Sequence, residues 1–167
     1  VLRRTLRDSG LRQDRVTYIP QGAPTFDGPL SADRDAAKDG LGFAADDRVV
    51  VLFGFVTSHK GHHVALEAVP YLPKRYQLVF VGGPHPLADE PYYETLLTTM
   101  ASDATLARRV RLTGYVPHAL VEQYLAAADV CIVPYLEAGL ATSAAVPWAL
   151  ASGRPVVGTR IPALLEI

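Results

Sequence analysis

The sequence predicts an α/β fold, a doubly wound and mainly parallel sheet with helices on both faces. Three short runs are almost entirely apolar: RVVVLF at Arg48–Phe53, QLVFV at Gln77–Val81 and VCIVP at Val130–Pro134. Runs of this kind are typical of strands buried on both faces, which occur in parallel sheets. Helical segments separate them, and this alternation indicates βαβ units. We expect Val49–Phe53 to be the central strand.

The composition sets bounds on the class of protein. At 167 residues, with 49% apolar and 20% charged residues, the chain is expected to form a single domain over residues 1–167. Its formal net charge of −1 gives no general attraction for nucleic acid, so no such partner is expected. No run is apolar enough to span a membrane and no signal peptide is visible, which predicts a cytoplasmic protein. The single cysteine, Cys131, is expected in the core.

The remaining elements follow from periodicity and from turn residues. Helical patterns are found at His62–Leu72, Tyr92–Leu106, His118–Ala128 and Trp148–Ala151. Three further strands are predicted at Arg15–Pro20, Arg109–Thr113 and Pro155–Thr159. The segment Gln21–Gly42 has no sustained period and predicts a loop with at most one helical turn.

Small residues follow the strands where a ligand is expected. Glycines come directly after three of the first four buried strands, at Gly54, at Gly82 with Gly83, and at Gly114. Ligands of open parallel sheets bind beyond the carboxyl ends of the strands. Glycine lets a ligand approach the backbone there.

The turn GFVTSHKG at Gly54–Gly61 carries a lysine at the start of a helix. It contains neither the GxGxxG of dinucleotide-binding proteins nor the GxxxxGK[ST] of P-loop NTPases. Lys60 could point over the strand ends and neutralise a phosphate. A solvated surface lysine is the alternative, and the sequence leaves both open. His59 beside it is expected to be an exposed turn histidine.

A second candidate is the stretch Ala138–Val157, AGLATSAAVPWALASGRPVV. A loop of small residues leads through Pro147 into a short helix, which Gly153 ends. Free amides and the positive dipole end at a helix N-terminus attract phosphate. The alternative is a tight connection in which the alanines serve packing only.

Other chemistry has little support in the sequence. The five histidines show no metal-ligand spacing, so no metal or other cofactor is expected. Ser143 lies in no GxSxG frame. Glu137 follows the fourth strand and precedes the small-residue loop. It is either a candidate catalytic residue or an exposed loop acid.

Together the segments resemble the donor-binding, C-terminal half of GT-B glycosyltransferases, in particular the family 4 group of retaining enzymes. The matching pieces are VTYIPQG at Val16–Gly22, GFVTSHKG, LVFVGG at Leu78–Gly83, the run Val110–Tyr135, and ALASGRPVVGT at Ala149–Thr159. They cover nearly the whole chain in order. The ordered set is more specific than any single piece.

The resemblance implies a Rossmann-like domain that binds a UDP- or GDP-sugar. It implies an enzyme that moves a hexose from this donor, with retention, to a glycan, lipid or small-molecule acceptor. In such enzymes the diphosphate meets the lysine of the first turn and the start of the helix after the acidic loop. The base lies against the loop after the third strand. The donor-binding residues implied here are Gly54, Lys60, Gly61, Gly82, Gly83, Gly114, Tyr115, Val116, Glu137, Thr142, Ser143 and Ala144.

Three positions depart from the family pattern. Phe55 stands where the family often has an arginine. Eight residues after Glu137 lies Ala145 rather than a second glutamate, and counting back from Gly153 puts Trp148 at the position of the ribose-binding glutamate. Two alternatives therefore stay open: a degenerate GT-B module that binds without catalysis, and a sugar-nucleotide epimerase-like enzyme.

The chain begins without a start methionine and matches one half of a two-domain enzyme, so it is expected to be a fragment of a longer chain. A missing N-terminal domain would hold most of the acceptor, and this fragment alone is expected to be inactive. Peripheral membrane association of the full-length enzyme is left open.

Overall fold

The computed structural model describes residues 8–10, 12–15, 17, 19, 22–25, 33–86, 90–136, 143–161 and 164. Within these ranges one five-stranded sheet runs through the molecule, and all four strand pairs are parallel. Its strands are β1 (Arg48–Phe53), β2 (Tyr76–Val81), β3 (Val110–Leu112), β4 (Val130–Val133) and β5 (Val156–Gly158). The order β3-β2-β1-β4-β5 confirms that β1 is central.

Helices accompany the sheet in the described part of the chain. They are α1 (Arg34–Gly40), α2 (His62–Ala68), α3 (Glu90–Ser102), α4 (Ala104–Arg109), α5 (His118–Ala127) and α6 (Ala145–Ala151). Short 3-10 turns lie at Gln13–Arg15, Ser58–Lys60 and Val69–Tyr71. Pro70, in the last of these turns, ends the α-helical part of the predicted segment early, as its missing amide hydrogen requires.

Alternate residues of β1 enter two separate cores. Val50 and Leu52 pack with residues of α2, α3 and α4, whereas Val49 and Val51 pack with residues of α5 and α6. Burial on both faces explains why the sequence of β1 shows no apolar–polar alternation. Cys131 lies in the second core, as expected, and burial raises the pKa of its thiol to about 11.

The strand order reverses beside β1. The chain proceeds from β1 to β2 and β3 on one side, while β4 and β5 lie on the other. Connections that leave β1 and β4 therefore diverge, and a crevice opens between the carboxyl ends of these strands. The fold itself thus defines one preferred position for a ligand.

An ionic cluster around Asp129 closes the opposite, amino-terminal end of the sheet. The carboxylate lies 2.7 Å from Lys38 Nζ, 3.0 Å from Arg48 Nη1 and 3.1 Å from Arg34 Nη1. It also accepts a hydrogen bond of 2.8 Å from the Val49 amide. Burial by itself would raise the pKa of Asp129, but the hydrogen bonds from Lys38, Val49 and Arg48 hold it below the usual value.

The expectation of a loop with at most one helical turn over Gln21–Gly42 is wrong for its second half. There α1 makes about two turns, and the Asp33 carboxylate caps it by accepting a hydrogen bond of 3.2 Å from the Asp35 amide. The sequence of this helix shows no apolar stripe, because ion pairs of Arg34 and Lys38 attach it to the sheet. Residues 21 and 26–32 lie outside the described part.

The single helix predicted for Tyr92–Leu106 is in fact two, because Asp103 interrupts it. The Asp103 carboxylate accepts hydrogen bonds from the amides of Leu106 at 3.1 Å and Thr105 at 2.6 Å. These bonds cap α4 and hold the pKa of Asp103 below its usual value.

Two boundaries near the ends of the chain also differ from prediction. In the segment Arg15–Pro20, predicted as a strand, Arg15 ends a 3-10 turn, and Thr17 and Ile19 lie in no strand. The other residues of that segment lie outside the described part. Helix α6 begins at Ala145 rather than at Trp148, because a proline, here Pro147, is tolerated in the first helical turn.

Candidate functional site

A cleft of about 400 Å³ opens at the carboxyl ends of β1 and β4, where the strand order reverses. Residues from the turns after β1, β2 and β3 line one side of it. Tyr135, just beyond β4, and residues around the start of α6 line the other. The cleft therefore occupies the place where a doubly wound sheet is expected to bind a ligand.

Two backbone contacts hold the turn after β1 against the chain beyond β4. The Leu136 amide donates a hydrogen bond of 2.9 Å to the His59 carbonyl. Gly61 has a φ of 73°, and its Cα faces the Pro134 carbonyl so closely that any side chain would collide with the backbone. These contacts fix the 3-10 turn Ser58–Lys60 and with it the direction of the Lys60 side chain.

Lys60 folds back over the end of β1. Its Nζ lies 2.6 Å from the position that a Cβ on Gly54 would take, so the glycine leaves the room that the ammonium occupies. The same atom is 6.0 Å from the ring centres of Phe55 and Tyr135. No residue of the described ranges forms an ion pair or hydrogen bond with it. Burial lowers the pKa of Lys60 to about 8. Lys60 is therefore a half-buried residue of the cleft wall.

Two histidines stand on either side of this lysine. His59, expected to be exposed, is half-buried and lines the cleft, because its turn is held against the loop after β4. Its Nε2 lies 3.2 Å from Thr57 Oγ1. His62, the first residue of α2, is fully buried with its ring centre 4.9 Å from that of Phe80. Burial, and then the charge of Lys60, lower the pKa of His62 to about 3, so the ring is neutral near pH 7.

The opposite side of the cleft is tied together by a hydroxyl pair. Tyr135 is 2% exposed, and its hydroxyl lies 2.7 Å from Ser143 Oγ. This hydrogen bond joins the end of β4 to the residues before α6. The Ala145 Cβ lies 3.3 Å from the position that a Cβ on Gly54 would take. Small residues thus bring the start of α6 close to the turn Ser58–Lys60, which carries the lysine.

An aromatic cluster of Phe55, His85 and Tyr115 stands at the mouth of the cleft. The ring centre of Phe55 is 5.0 Å from that of His85 and 6.3 Å from that of Tyr115, both edge to face. The Tyr115 hydroxyl donates a hydrogen bond to the Pro84 carbonyl, and its ring covers Gly83. Phe55 and Tyr115 remain 43% and 60% exposed, so apolar rings face solvent here.

A second group of rings surrounds Trp148, which lines the cleft together with Phe53. Trp148 of α6 has its ring centre 5.4 Å from that of Phe53 and 4.5 Å from that of His118. Val116 and Val121 line the cleft together with Phe53 and Trp148. None of the cleft-lining residues in the described ranges is a carboxylate. This part of the site is therefore apolar and aromatic.

The structure brings most of the predicted donor-binding residues together. Those that line the cleft are Gly54, Lys60, Gly82, Gly83, Tyr115, Val116, Ser143 and Ala144. Gly61 and Gly114 are not among the lining residues, and Gly61 instead packs against Pro134. Glu137, the candidate catalytic residue, and Thr142 lie outside the described part. The predicted site residues did not include Phe53, Val121 and Tyr135, which also line the cleft, because strand ends and helix faces acquire their orientation towards a cleft only on folding.

No group of three or more His, Cys, Asp or Glu residues in the described ranges could hold a metal ion. No helix among them is both long and apolar enough to cross a bilayer. The expectation that no metal is needed remains a prediction.

Comparison with known proteins gives one family match. The sequence profile of the family described as Glycosyl transferases group 1 matches residues 47–167, well over half of the chain. No curated protein matches the sequence.

Solved structures of glycosyltransferases share the fold. The structure of Anabaena Alr3699/HepE in complex with UDP has a TM-score of 0.78 at 23% identity, over 98% of this chain and 43% of that one. WaaG, a glycosyltransferase involved in lipopolysaccharide biosynthesis, has a TM-score of 0.74 at 18% identity, over 99% and 43%. The C-terminal domain of LpcC from Francisella tularensis, a glycosyl transferase group 1 family protein, has a TM-score of 0.65 at 19% identity, over 81% and 69%.

This chain therefore spans less than half the length of the HepE and WaaG chains. The parallel sheet with helices on both faces is the Rossmann-like architecture of GT-B glycosyltransferases. The resemblance drawn from the sequence motifs is confirmed at this level, while membership of family 4 in particular stays a prediction. The chain belongs to the glycosyl transferases group 1 family.

Proposed function

We propose that this chain is the donor-binding half of a cytoplasmic, retaining glycosyltransferase of the family 4 type. A single domain over residues 1–167 would bind a UDP- or GDP-sugar, and a second domain outside this chain would hold a glycan, lipid or small-molecule acceptor. Lys60 carries the proposal. It is an ammonium inside the cleft for which no described residue supplies a counter-charge. A ligand that brings negative charge would supply it.

The electrostatics of Lys60 favour a diphosphate. Burial destabilises its charged form, which is why its pKa falls to about 8. A diphosphate beside Nζ would accept charge-assisted hydrogen bonds and raise the pKa again. Ser143 and Ala144 line the same cleft, so a phosphate between them and Lys60 would meet a hydroxyl and little steric hindrance.

The same arrangement would assist sugar transfer. The bond between the anomeric carbon and the β-phosphate oxygen breaks, a bond to the acceptor hydroxyl oxygen forms, and the hydroxyl proton is released. The leaving nucleoside diphosphate gains negative charge, and a cation already in place stabilises that charge most in the transition state. We propose that Lys60 does this without a divalent metal, and that Glu137 is the candidate catalytic residue.

The test is the substitution Lys60→Ala. It should weaken binding of UDP or GDP by about 1.5–3 kcal/mol, the range for a hydrogen bond to a charged group. It should barely change binding of uridine or guanosine, which have no phosphate. Isothermal titration calorimetry on the chain measures both. Lys60→Arg should restore binding only in part, because a planar fork does not replace a compact ammonium. Lys74→Ala, which removes an exposed lysine just before β2, is the matched control.

The proton balance gives an independent readout. At pH 8.5 most Lys60 side chains are neutral, so diphosphate binding should take up protons, approaching about three quarters of one proton per site. Calorimetry in two buffers of different ionisation enthalpy measures this uptake, and Lys60→Ala should abolish it. Equal losses for nucleoside and diphosphate, or no loss for either, would show that the diphosphate lies elsewhere.

A binding module without catalysis is the second candidate. Phe55 favours it, since an aromatic ring stands near Lys60 where the family often has a second cation. Both candidates bind the nucleotide, and this chain alone is proposed to be inactive in either case. Incubation of the longer protein with radiolabelled UDP-glucose and GDP-mannose separates them by whether sugar is released or transferred. Interconversion of the free sugar nucleotides would indicate the epimerase-like alternative instead.

A further inference from the structure

We propose that Trp148 is a stacking wall for the nucleoside of the bound nucleotide, and that the cleft consequently binds ribo- and 2′-deoxyribonucleoside diphosphates with similar affinity. The inference rests on the proposed function, which puts the diphosphate beside Lys60. It adds a residue that determines specificity and a class of donor, deoxyribonucleoside diphosphates, that the cleft would accept.

Trp148 is placed to meet whatever is attached to a phosphate at the start of α6. It lies five residues after Ser143 and about one helical turn, or roughly 5 Å, beyond the first residue of α6. Ser143 and Trp148 line the same cleft. A nucleoside joined to a diphosphate between Lys60 and Ser143 therefore reaches the tryptophan without leaving the cleft.

The surroundings of Trp148 make it a firm surface. Its ring is in contact with the rings of Phe53 and His118, at 5.4 Å and 4.5 Å between centres, and is half-buried. Phe55 and Tyr115, by contrast, stand at the mouth with 43% and 60% of their surface exposed. A supported ring loses little freedom when a base stacks on it, so the inner wall is favoured over the mouth.

The chemistry of this wall predicts weak selection at the ribose. A site built to hydrogen-bond a hydroxyl rejects the analogue without it strongly, whereas an apolar pocket distinguishes the two only weakly. The wall here consists of Phe53, Val116, Val121 and Trp148, and the described cleft-lining residues include no carboxylate to accept from the ribose hydroxyls. Binding through ring faces therefore gives the 2′-hydroxyl little influence on affinity.

Fluorescence offers a direct test, because Trp148 is the only tryptophan of the chain. UDP, GDP and ADP, each beside its 2′-deoxy counterpart, are titrated into the chain with inorganic pyrophosphate as the control. Nucleotides should quench the emission, and pyrophosphate should leave it unchanged. For the tightest nucleotide, calorimetry should give a ribo to deoxy affinity ratio within about threefold.

Three variants at this position sharpen the result. Trp148→Leu should weaken nucleotide binding at least about fivefold while leaving pyrophosphate binding unchanged, since base–aromatic stacking contributes that much. Trp148→Phe should keep most of the affinity. Because this substitution is more conservative, it keeps the test valid if Trp148→Leu does not fold, and circular dichroism checks the folding of each variant. Trp148→Glu, which adds an acceptor, should raise the ribo preference to about tenfold or more. Tyr71→Leu, which removes an 88% exposed ring that does not line the cleft, is the matched control and should change nucleotide affinity less than twofold.

The outcomes separate this inference from the proposed function. If binding depends on Lys60 but Trp148 is not quenched, or the deoxy form binds more than tenfold weaker, the stacking wall is wrong and the donor site stands. If Trp148 is quenched but Lys60→Ala changes nothing, the diphosphate assignment is wrong and the stacking wall stands. If no nucleotide binds the folded chain, both are wrong.

Discussion

Two lysines are withdrawn from water at opposite ends of the sheet, and they differ in their partners. Lys38, at the amino-terminal end, is 1% exposed, with its Nζ 2.7 Å from the Asp129 carboxylate and 2.9 Å from the Asp47 carbonyl. Lys60, at the carboxyl-terminal end, lines the cleft and pairs with no described residue. A lysine therefore has an ionic partner at the closed, amino-terminal end of the sheet, whereas the lysine at the open, carboxyl-terminal end has none among the described residues.

The difference separates a structural charge from a charge available for binding. Removal of one partner of a buried ion pair strongly destabilises the folded protein, because the other charge is then left uncompensated. A cation without a partner already carries that penalty, and such perturbed groups are concentrated at functional sites. Substitutions at the two ends should therefore change stability in opposite directions.

The largest effect is expected at the closed end. Asp129→Asn should lower the free energy of unfolding by about 3–5 kcal/mol, because Lys38 would remain buried without a negative charge. Urea denaturation at pH 7 measures the change. Asp35→Asn is the control, since its exposed carboxylate is 3.8 Å from Arg34 Nε and should matter by less than about 0.5 kcal/mol. A loss below about 1 kcal/mol for Asp129→Asn would mean that the cluster adds little to stability.

His62, whose buried ring nitrogens have no hydrogen-bond partner in the described part of the chain, extends the comparison to acid pH. Its pKa is about 3 in the folded protein and 6.5 in the unfolded chain. The unfolded state therefore binds more protons between these values, and stability falls as pH drops from 6.5 towards 3. Relative to His62→Leu, the native chain should lose about 2 kcal/mol between pH 7 and 4.5. Urea denaturation at both pH values, with His63→Leu as the control, tests this, and parallel losses in all three proteins would contradict it.

Exchange of each lysine for methionine tests the comparison directly. Lys60→Met should raise the free energy of unfolding by about 1 kcal/mol at pH 7 while weakening diphosphate binding by about 1.5–3 kcal/mol, as expected for Lys60→Ala, whereas Lys38→Met should lower the free energy of unfolding. The folded pKa of Lys60, about 8, lies below its ordinary value of 10.5, so the native chain regains stability as pH rises between the two. The advantage of the methionine should accordingly disappear by about pH 10.5. Destabilisation by both substitutions would remove the distinction between the two ends.

The smallest effect is expected at the edge of the Asp129 cluster. Arg34 is 3.1 Å from the carboxylate but its side chain is 40% exposed. Solvent and salt screen such a pair, so Arg34→Ala should cost about 0.5 kcal/mol or less at 0.15 M salt. Thermal unfolding at low and high salt measures this. An effect as large as that of Asp129→Asn would show that the cluster acts as one unit.

Local pattern was enough to predict the framework. The strands β1, β2 and β4 can be recognised in the sequence as apolar runs, because strands buried on both faces need no polar residues. The glycine turns and Lys60 were found because ligands of parallel sheets bind at the carboxyl ends of strands. The helix α1 and the break at Asp103 were missed, since capping carboxylates and ion pairs leave no apolar period.

Long-range contacts decided the rest. Asp129 and Lys38 are far apart in the chain and meet only because β4 lies beside β1, so no spacing rule could pair them. The packing of α6 against the turn Ser58–Lys60 is a long-range contact of the same kind. It determines that Lys60 has no described partner and that Trp148 lies in the cleft. Secondary structure follows from neighbours along the sequence, whereas burial and pairing, and hence the chemistry of the cleft, follow from neighbours in space.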